Sequence, residues 1–510
     1  MSIAPEDRYD ILVVGGGING TGIARDAAGR GLAVLLCEQD DLAAHTSSAS
    51  TKLIHGGLRY LEDLHFGLVR KALIEREILL ACAPHLMRPL RFVVPHVRQL
   101  RSRWQLRTGL FLYDHLARRR RLAASAEIDL QAHPAGTSLL PGYTRGFIYS
   151  DGFTDDSRLV VLNALDAAQR GARVLTRTRC ERIEPHGRDW IATVVENSRP
   201  REILARAVVN ATGPWVSRFV ADASPVRAAR HVRLVKGSHI VLPRLFAHRF
   251  AYLFQGEDRR IVFAIPYQHE LTLIGTTDVE YGGDPTDVAI ESQEVTYLCQ
   301  AVNRYLQHQS TPADVLWSYC GVRPLLDDAS ASPSSVTRDY ALELDRAPAP
   351  LLSVFGGKIT TYRKLAESAV NLLARELGSR GQPWTAAAIL PGGDLPGASF
   401  AVFLRTLARR YPWLPAPLRQ RYAQAYGTRI ERIVGDARRL ADLGPELTAG
   451  LHEREAEYLC REEWARTSQD ILWRRTKLGL RARAGSTEGL ESWLRARARA
   501  TALTATGFSP

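Results

Sequence analysis

Hydrophobic positions along the chain change their period several times, and the changes divide it. Residues Tyr9–Val14 (YDILVV) form a short apolar, β-branched run that ends on glycines, as a buried strand does. The next stretch, TGIARDAAGRG, has helical spacing, and a second apolar run, Ala33–Cys37, follows it. Strand, tight turn, helix and strand in that order predict a βαβ unit. Two later segments, RAVVNATG (206–213) and VFGGKITT (354–361), again carry an apolar strand into a glycine turn. Between them, RLVKGSHIVLP and RRIVFAIPYQHELTLIGTTD read as strands of an antiparallel sheet. After LPGGDLPG (390–397) the period becomes helical and the glycine returns stop.

The expected fold class is therefore α/β with an α+β cap. A discontinuous dinucleotide-binding domain takes residues 1–85, 150–231 and 321–385. A cap takes 86–149 and 232–320, and a helical domain takes 398–510. A chain of 510 residues is long enough for two or three such domains.

Composition narrows the class. With 45% apolar and 24% charged residues the chain is globular, and no run approaches the ~18 apolar residues of a membrane span. The opening MSIAPEDRYD has neither the basic flank nor the apolar core of a secretion signal, which predicts a cytoplasmic protein. Six cysteines without CxxC or metal-ligand spacing predict reduced thiols, no disulfide and no bound metal. The net charge of +13 points to an anionic partner: a phosphorylated substrate, an acidic lipid surface or nucleic acid. Only six of the 67 basic residues are lysines, and Lys52, Lys236 and Lys358 fall in the Gly- or Ser-rich segments that carry the candidate chemistry.

The glycine turn after the first strand reads Gly15-Gly16-Gly17-Ile18-Asn19-Gly20, and the second strand ends at Glu38. This is the spacing of a dinucleotide fingerprint. Gly15 permits the turn, Gly17 admits the pyrophosphate, and Gly20 packs helix on strand. Glu38 is placed for the adenosine ribose and disfavours a 2′-phosphate. The unit alone leaves FAD and NAD open. The later returns, at Ala211-Thr212-Gly213 and at Gly356-Gly357, favour FAD, since an NAD enzyme does not need them.

Together with Thr46–Leu61 (TSSASTKLIHGGLRYL), these segments make the chain resemble the FAD-dependent, aerobic, quinone-linked glycerol-3-phosphate dehydrogenases of the bacterial type. GFIYSDG (146–152), KGSHIVLP (236–243), IGTTDVEY (274–281), YCGVRPL (319–325), FGGKITTYRKLAE (355–367) and LWRRTKLG (472–479) extend the resemblance over nearly the whole chain. It implies an FAD domain like that of the amino-acid oxidases. It also implies oxidation of sn-glycerol 3-phosphate to dihydroxyacetone phosphate, transfer of the electrons to membrane ubiquinone, peripheral attachment to the inner face of the plasma membrane, and a homodimer. The mitochondrial branch has calcium-binding loops, and no DxDxDG-type loop occurs here.

Such a reaction needs a dianion anchor, a base and a placed flavin. Arg59, Tyr60, Arg323 and Lys358 are the anchor candidates, with Thr276, Thr277 and Asp278 supplying polar contacts. Arg323 is also placed to stabilise the C2 oxygen as charge develops. His239 and His55 are the candidate bases, with His239 preferred. The expected FAD contacts are Thr46, Ser47, Ser48, Lys52, Leu53, His55, Lys358 and Thr360, besides the glycine turns. Residues 88–121 combine ten arginines with Trp104 and Leu110-Phe111-Leu112-Tyr113, a pattern suited to anionic headgroups. Three other readings compete: a glycerol-3-phosphate oxidase using oxygen, an amine oxidase of the same fold, and a non-enzymatic FAD- or nucleic-acid-binding protein. No nucleic-acid motif supports the last.

Overall fold

The strand Arg8–Val14 lies inside an eight-stranded sheet, with Arg199–Asn210 on one side and Val34–Glu38 on the other, both parallel to it. Leu351–Gly356 and Arg173–Thr176 extend the parallel set outward. The structure is a computed structural model, and it describes residues 4–226, 230, 232–258, 260–326, 339–483 and 485–505. The first strand is buried on both faces, and this explains its unbroken apolar run. Ile11 and Val13 pack with the helices Ile18–Gly29, Asp156–Gln169 and Tyr362–Leu377. Leu12 and Val14 face the opposite way, toward Trp190 and Ala192 of an antiparallel hairpin and Phe219 of the helix Val216–Ala223.

A second sheet of ten strands forms the cap. Its order runs from Val279–Glu280 through Val232–Pro243, Leu271–Gly275, Ile261–Tyr267, Ala251–Gln255, Arg88–Pro95 and Arg145–Phe153 to Leu53–Ile54. Every pairing is antiparallel except Ala251–Gln255 with Arg88–Pro95. Trp317–Leu326 adds along Val232–Pro243, and Pro324 is tolerated because this strand pairs on one side only. The boundaries differ from expectation by a few residues. Residues 53–54, 150–153 and 321–326 belong to the cap sheet by their hydrogen bonds. These residues continue strands or loops whose composition does not change, so no breaker residue marks the boundary.

Among the described residues the C-terminal part holds the helices Phe400–Arg410, Ala416–Tyr426, Ile430–Val434, Glu453–Glu462 and Glu488–Ala505. They close around a core of their own that includes Leu407, Tyr422, Tyr426, Ile433 and Leu459. The unit docks on the dinucleotide domain through buried charge. Asp41, on the loop after Glu38, accepts from Arg475 at 2.7 and 2.8 Å and from Arg474 at 2.6 Å, and Arg475 has no exposed side-chain surface. Arg158 pairs with Glu463, and Arg177 reaches Asp470 at 2.7 Å. Removing one member of such a pair strands the other in a dry interior. Arg475→Met is expected to destabilise the protein by about 3 kcal/mol, measured by denaturant unfolding of the holoenzyme. Adding Asp41→Leu in the same chain should recover part of that loss.

Candidate active site

A cavity of about 680 Å³ opens where the two sheets meet. Its wall begins at the first glycine turn. Gly15 adopts φ +113°, open to glycine at low cost, and a Cβ there would stand 2.5 Å from the carbonyl oxygen of Ala211. Gly17 also lines the cavity, and the Ile18 amide at the start of the helix donates to Ser47 Oγ at 3.0 Å. Gly20 is off the wall, and a Cβ on it would overlap the Gly15 carbonyl. It performs the packing role its place in the fingerprint implies. Glu38 reaches the wall with its carboxylate already accepting the amides of Gly16 at 2.6 Å and Asp40 at 2.8 Å. Burial raises its pKa, and those two amides pull it back down. A carboxylate offers about four acceptor positions, so two remain for a hydroxyl pair.

The returns meet the same cavity. Ala211, Thr212 and Gly213 line it, the Ala211 amide being tied to the Val14 carbonyl at 2.9 Å. Gly356 and Gly357 take φ +70° and +100°, and Lys358, Ile359 and Thr360 follow on the wall. Thr46, Ser47, Leu53 and His55 are on the wall as well. Three distant segments thus form one cradle, and their shape fits a dinucleotide in volume and in donors.

Beyond the cradle the polar groups change character. Arg323 projects from the cap strand, pairs with Asp278 and donates to Thr276 Oγ1 at 2.8 Å. Gly237 on the neighbouring strand makes room for it, because a Cβ there would overlap the guanidinium. Lys358 Nζ lies 3.9 Å from the centre of the Tyr60 ring. The His55 amide donates to Thr360 Oγ1 at 3.2 Å, and the His55 ring stands edge-on to Phe263. Tyr60, Thr276, Arg323, Lys358 and His55 all line the cavity.

Four candidates are placed elsewhere. Lys52 is buried and bonded to Asp156 at 2.9 and 3.0 Å and to the Ser48 carbonyl at 3.0 Å, so its ammonium braces the wall from behind. Ser48 bonds the His45 carbonyl and does not reach the cavity, and Arg59 is half-buried off the wall. His239 is also off the wall. Its ring stacks on Tyr319, and its Nε2 meets Thr51 Oγ1 at 2.9 Å. Burial first, then Arg323 and Lys52, hold its pKa well below the usual imidazole value. Of this set Thr51 lines the cavity and stands between it and His239. It belongs to the hydroxyl-rich run Thr46–Lys52, in which sequence does not distinguish one hydroxyl from the next. Phe263 and the Thr178–Glu181 stretch also line the cavity, brought there by sheet pairings that leave no local signal.

Similarity to known proteins bears directly on this arrangement. Residues 10–363 match the family of FAD-dependent oxidoreductases, and residues 384–500 match the C-terminal domain of alpha-glycerophosphate oxidase. A glycerol-3-phosphate dehydrogenase of Pseudomonas aeruginosa is 54% identical over 476 residues, 92% of each chain. The aerobic glycerol-3-phosphate dehydrogenase of Escherichia coli is 48% identical over 491 residues, 95% of this chain and 97% of the relative. The chain belongs to the FAD-dependent glycerol-3-phosphate dehydrogenase family. A solved glycerol-3-phosphate dehydrogenase from Bacillus halodurans, complexed with FAD, matches with TM-score 0.76 and 27% identity over 96% of this chain and 91% of that one. A D-erythritol 1-phosphate dehydrogenase of Brucella abortus is 49% identical over 93% of this chain and 95% of its own length.

The cofactor of this family member is FAD, and the lining of the cradle described above fits it. Gly237→Ala is expected to leave folding and flavin content intact while shifting Arg323. A displacement near 1 Å at such a position costs about 100-fold in kcat/KM, measured by dye reduction with glycerol 3-phosphate.

Proposed function

We propose that the protein oxidises sn-glycerol 3-phosphate to dihydroxyacetone phosphate at the Arg323 end of the cavity and passes the electrons to ubiquinone. The observation that carries this reading is the placement of Arg323, Lys358, Tyr60, Thr276 and His55 on the wall that the glycine cradle begins. Bound FAD supplies the two-electron acceptor. The protein binds the phosphate, orients C2 and moves one proton. Lys358 and Tyr60 anchor the phosphate, since a point charge and a hydroxyl on neighbouring elements satisfy two of its oxygens. Arg323, fixed by Asp278 and Thr276, is placed to stabilise the charge that develops on the C2 oxygen.

The C2 hydroxyl proton goes to His55. This reverses the preference drawn from sequence, because His239 lies behind Thr51 with no surface on the cavity. His239 orients the Thr51 hydroxyl instead. Anaerobic reduction of bound flavin by glycerol 3-phosphate, followed across pH, separates the two histidines. His55→Asn should slow reduction by about 10²–10⁴ and flatten the acid limb of the profile, with a smaller loss for His239→Asn. The reverse ranking would return the base to His239. Bleaching by glycine or sarcosine in place of glycerol 3-phosphate would favour an amine oxidase, and stoichiometric peroxide would favour an oxidase.

The ubiquinone partner brings a membrane surface into the proposal, along with a homodimer and a place at the inner face of the plasma membrane. No described helix is long and apolar enough to cross a membrane, so the attachment proposed is peripheral. The helix Arg103–His115 supports it in part. Trp104 is 74% exposed and Phe111 59% exposed, with Arg103 and Arg107 on the same outer surface. Leu110 and Tyr113 are buried, and Tyr113 donates to Asp151, so half of the apolar run serves the core. Trp104→Ser with Phe111→Ser should abolish flotation with anionic liposomes while soluble dye-linked activity persists. Undiminished flotation would move the contact to another surface.

A further inference from the structure

A second cavity, of about 470 Å³, lies where the dinucleotide domain, the cap and the C-terminal helices meet. Five arginines line it, and three of these are neutralised from behind. Arg158 pairs with Glu463, Arg421 with Glu455 and Arg475 with Asp41, and none of those acids lines the cavity. The other two, Arg88 and Arg121, have no acidic side-chain partner among the described residues. Glu77 takes the backbone amide of Arg121 and leaves its guanidinium unengaged. Asp155 is the one carboxylate on this wall, and it is committed to Lys477 at 3.3 Å and to Ser157 Oγ at 2.9 Å.

The cavity also holds an unpartnered group. His85 is 4% exposed, lines the cavity, and has no hydrogen-bond partner at either ring nitrogen. A buried ring with both nitrogens unsatisfied is costly unless something else meets it. Burial and then Arg158 bring the His85 pKa down to about 3, with Asp394 opposing weakly. Burial and Arg249 lower that of Arg88, and burial with Arg481 and Arg88 lowers that of His269. Arg88 is exposed, and its guanidinium lies 4.6 Å from the centre of the Phe153 ring on the same wall.

We propose that this junction cavity binds a phosphomonoester, recognised by Arg88, Arg121 and His85 and separate from the catalytic phosphate anchor. A tetrahedral oxyanion accepts from two guanidinium forks and one imidazole at once, and it cancels the charge that the wall leaves open. Its apolar neighbours, Leu80, Leu86, Met87, Phe153 and Phe400, suit an organic body behind the phosphate. An occupant touches all three parts of the molecule, so binding stabilises their docking by mass action. The phosphate comes either from a free metabolite or from a lipid headgroup.

The test uses the FAD-loaded enzyme and three probes: inorganic phosphate, phosphatidate vesicles and phosphatidylcholine vesicles. Melting temperature and radiolabelled phosphate binding are read at constant ionic strength. Wild type should gain melting temperature with phosphate or phosphatidate, and phosphatidylcholine should have no effect. A response to free phosphate marks a metabolite site, and a response to phosphatidate alone marks a headgroup site. Arg88→Gln with Arg121→Gln should weaken binding by about tenfold or more, with flavin reduction by glycerol 3-phosphate unchanged. Lys358→Met, which disables the catalytic anchor, should keep the response. An absent response in wild type overturns the proposal, as does a response that survives the double substitution or vanishes with Lys358→Met.

Discussion

Asp156 begins the helix Asp156–Gln169 with no exposed surface, and its carboxylate takes four bonds from one short segment. Lys52 Nζ reaches it at 2.9 and 3.0 Å, and Ser50 gives its amide at 3.1 Å and its hydroxyl at 2.7 Å. Lys52 sits at φ +61°, a conformation that costs a non-glycine residue about 1 kcal/mol or more. The ion pair holds it there. The residues on either side, Ser47 and Thr51 before or beside the brace and Leu53 and His55 after it, then face the cavity. Without this buried pair the segment would be a polar loop with no reason to present one face.

The same economy runs through the rest of the site. Glycines stand where another chain element must come within contact distance: Gly15 against Ala211, Gly237 under Arg323, and Gly275 under the ring of His239. Gly237 and Gly275 each remove a side chain from one strand so that a polar side chain from its neighbour can be fixed. Fixation in turn reduces the reorganisation needed when charge develops on substrate. The cap side contributes Thr276 and Arg323, the dinucleotide domain contributes Lys358 and Thr360, and all four line the one cavity.

The positive balance of the chain is distributed in two ways. Many arginines are spent on structure, in buried pairs such as Arg158–Glu463, Arg475–Asp41 and Arg363–Glu75. Two of those left without an acidic partner among the described residues, Arg88 and Arg121, line the junction cavity, whereas Arg103 on the exposed helix pairs with Glu127. Total charge therefore says little about any one site, whereas the position of the compensating carboxylates says a great deal.

The sequence determined what local pattern can specify. The βαβ unit, the glycine turn, Glu38 at the second strand end and the two later returns are written in contiguous residues, because strand period and turn geometry are local. It also marked Arg323, Lys358, Thr276 and His55 through their motifs. What it left open was direction. Lys52 and His239 belong to motifs as distinctive as the others, yet Asp156 and Thr51, from other segments, turn the first inward and screen the second. Arg59 and Ser48 likewise have the right neighbours in sequence and the wrong ones in space. Only the tertiary structure decides which face of a segment meets the cavity, since that depends on partners a hundred or more residues away.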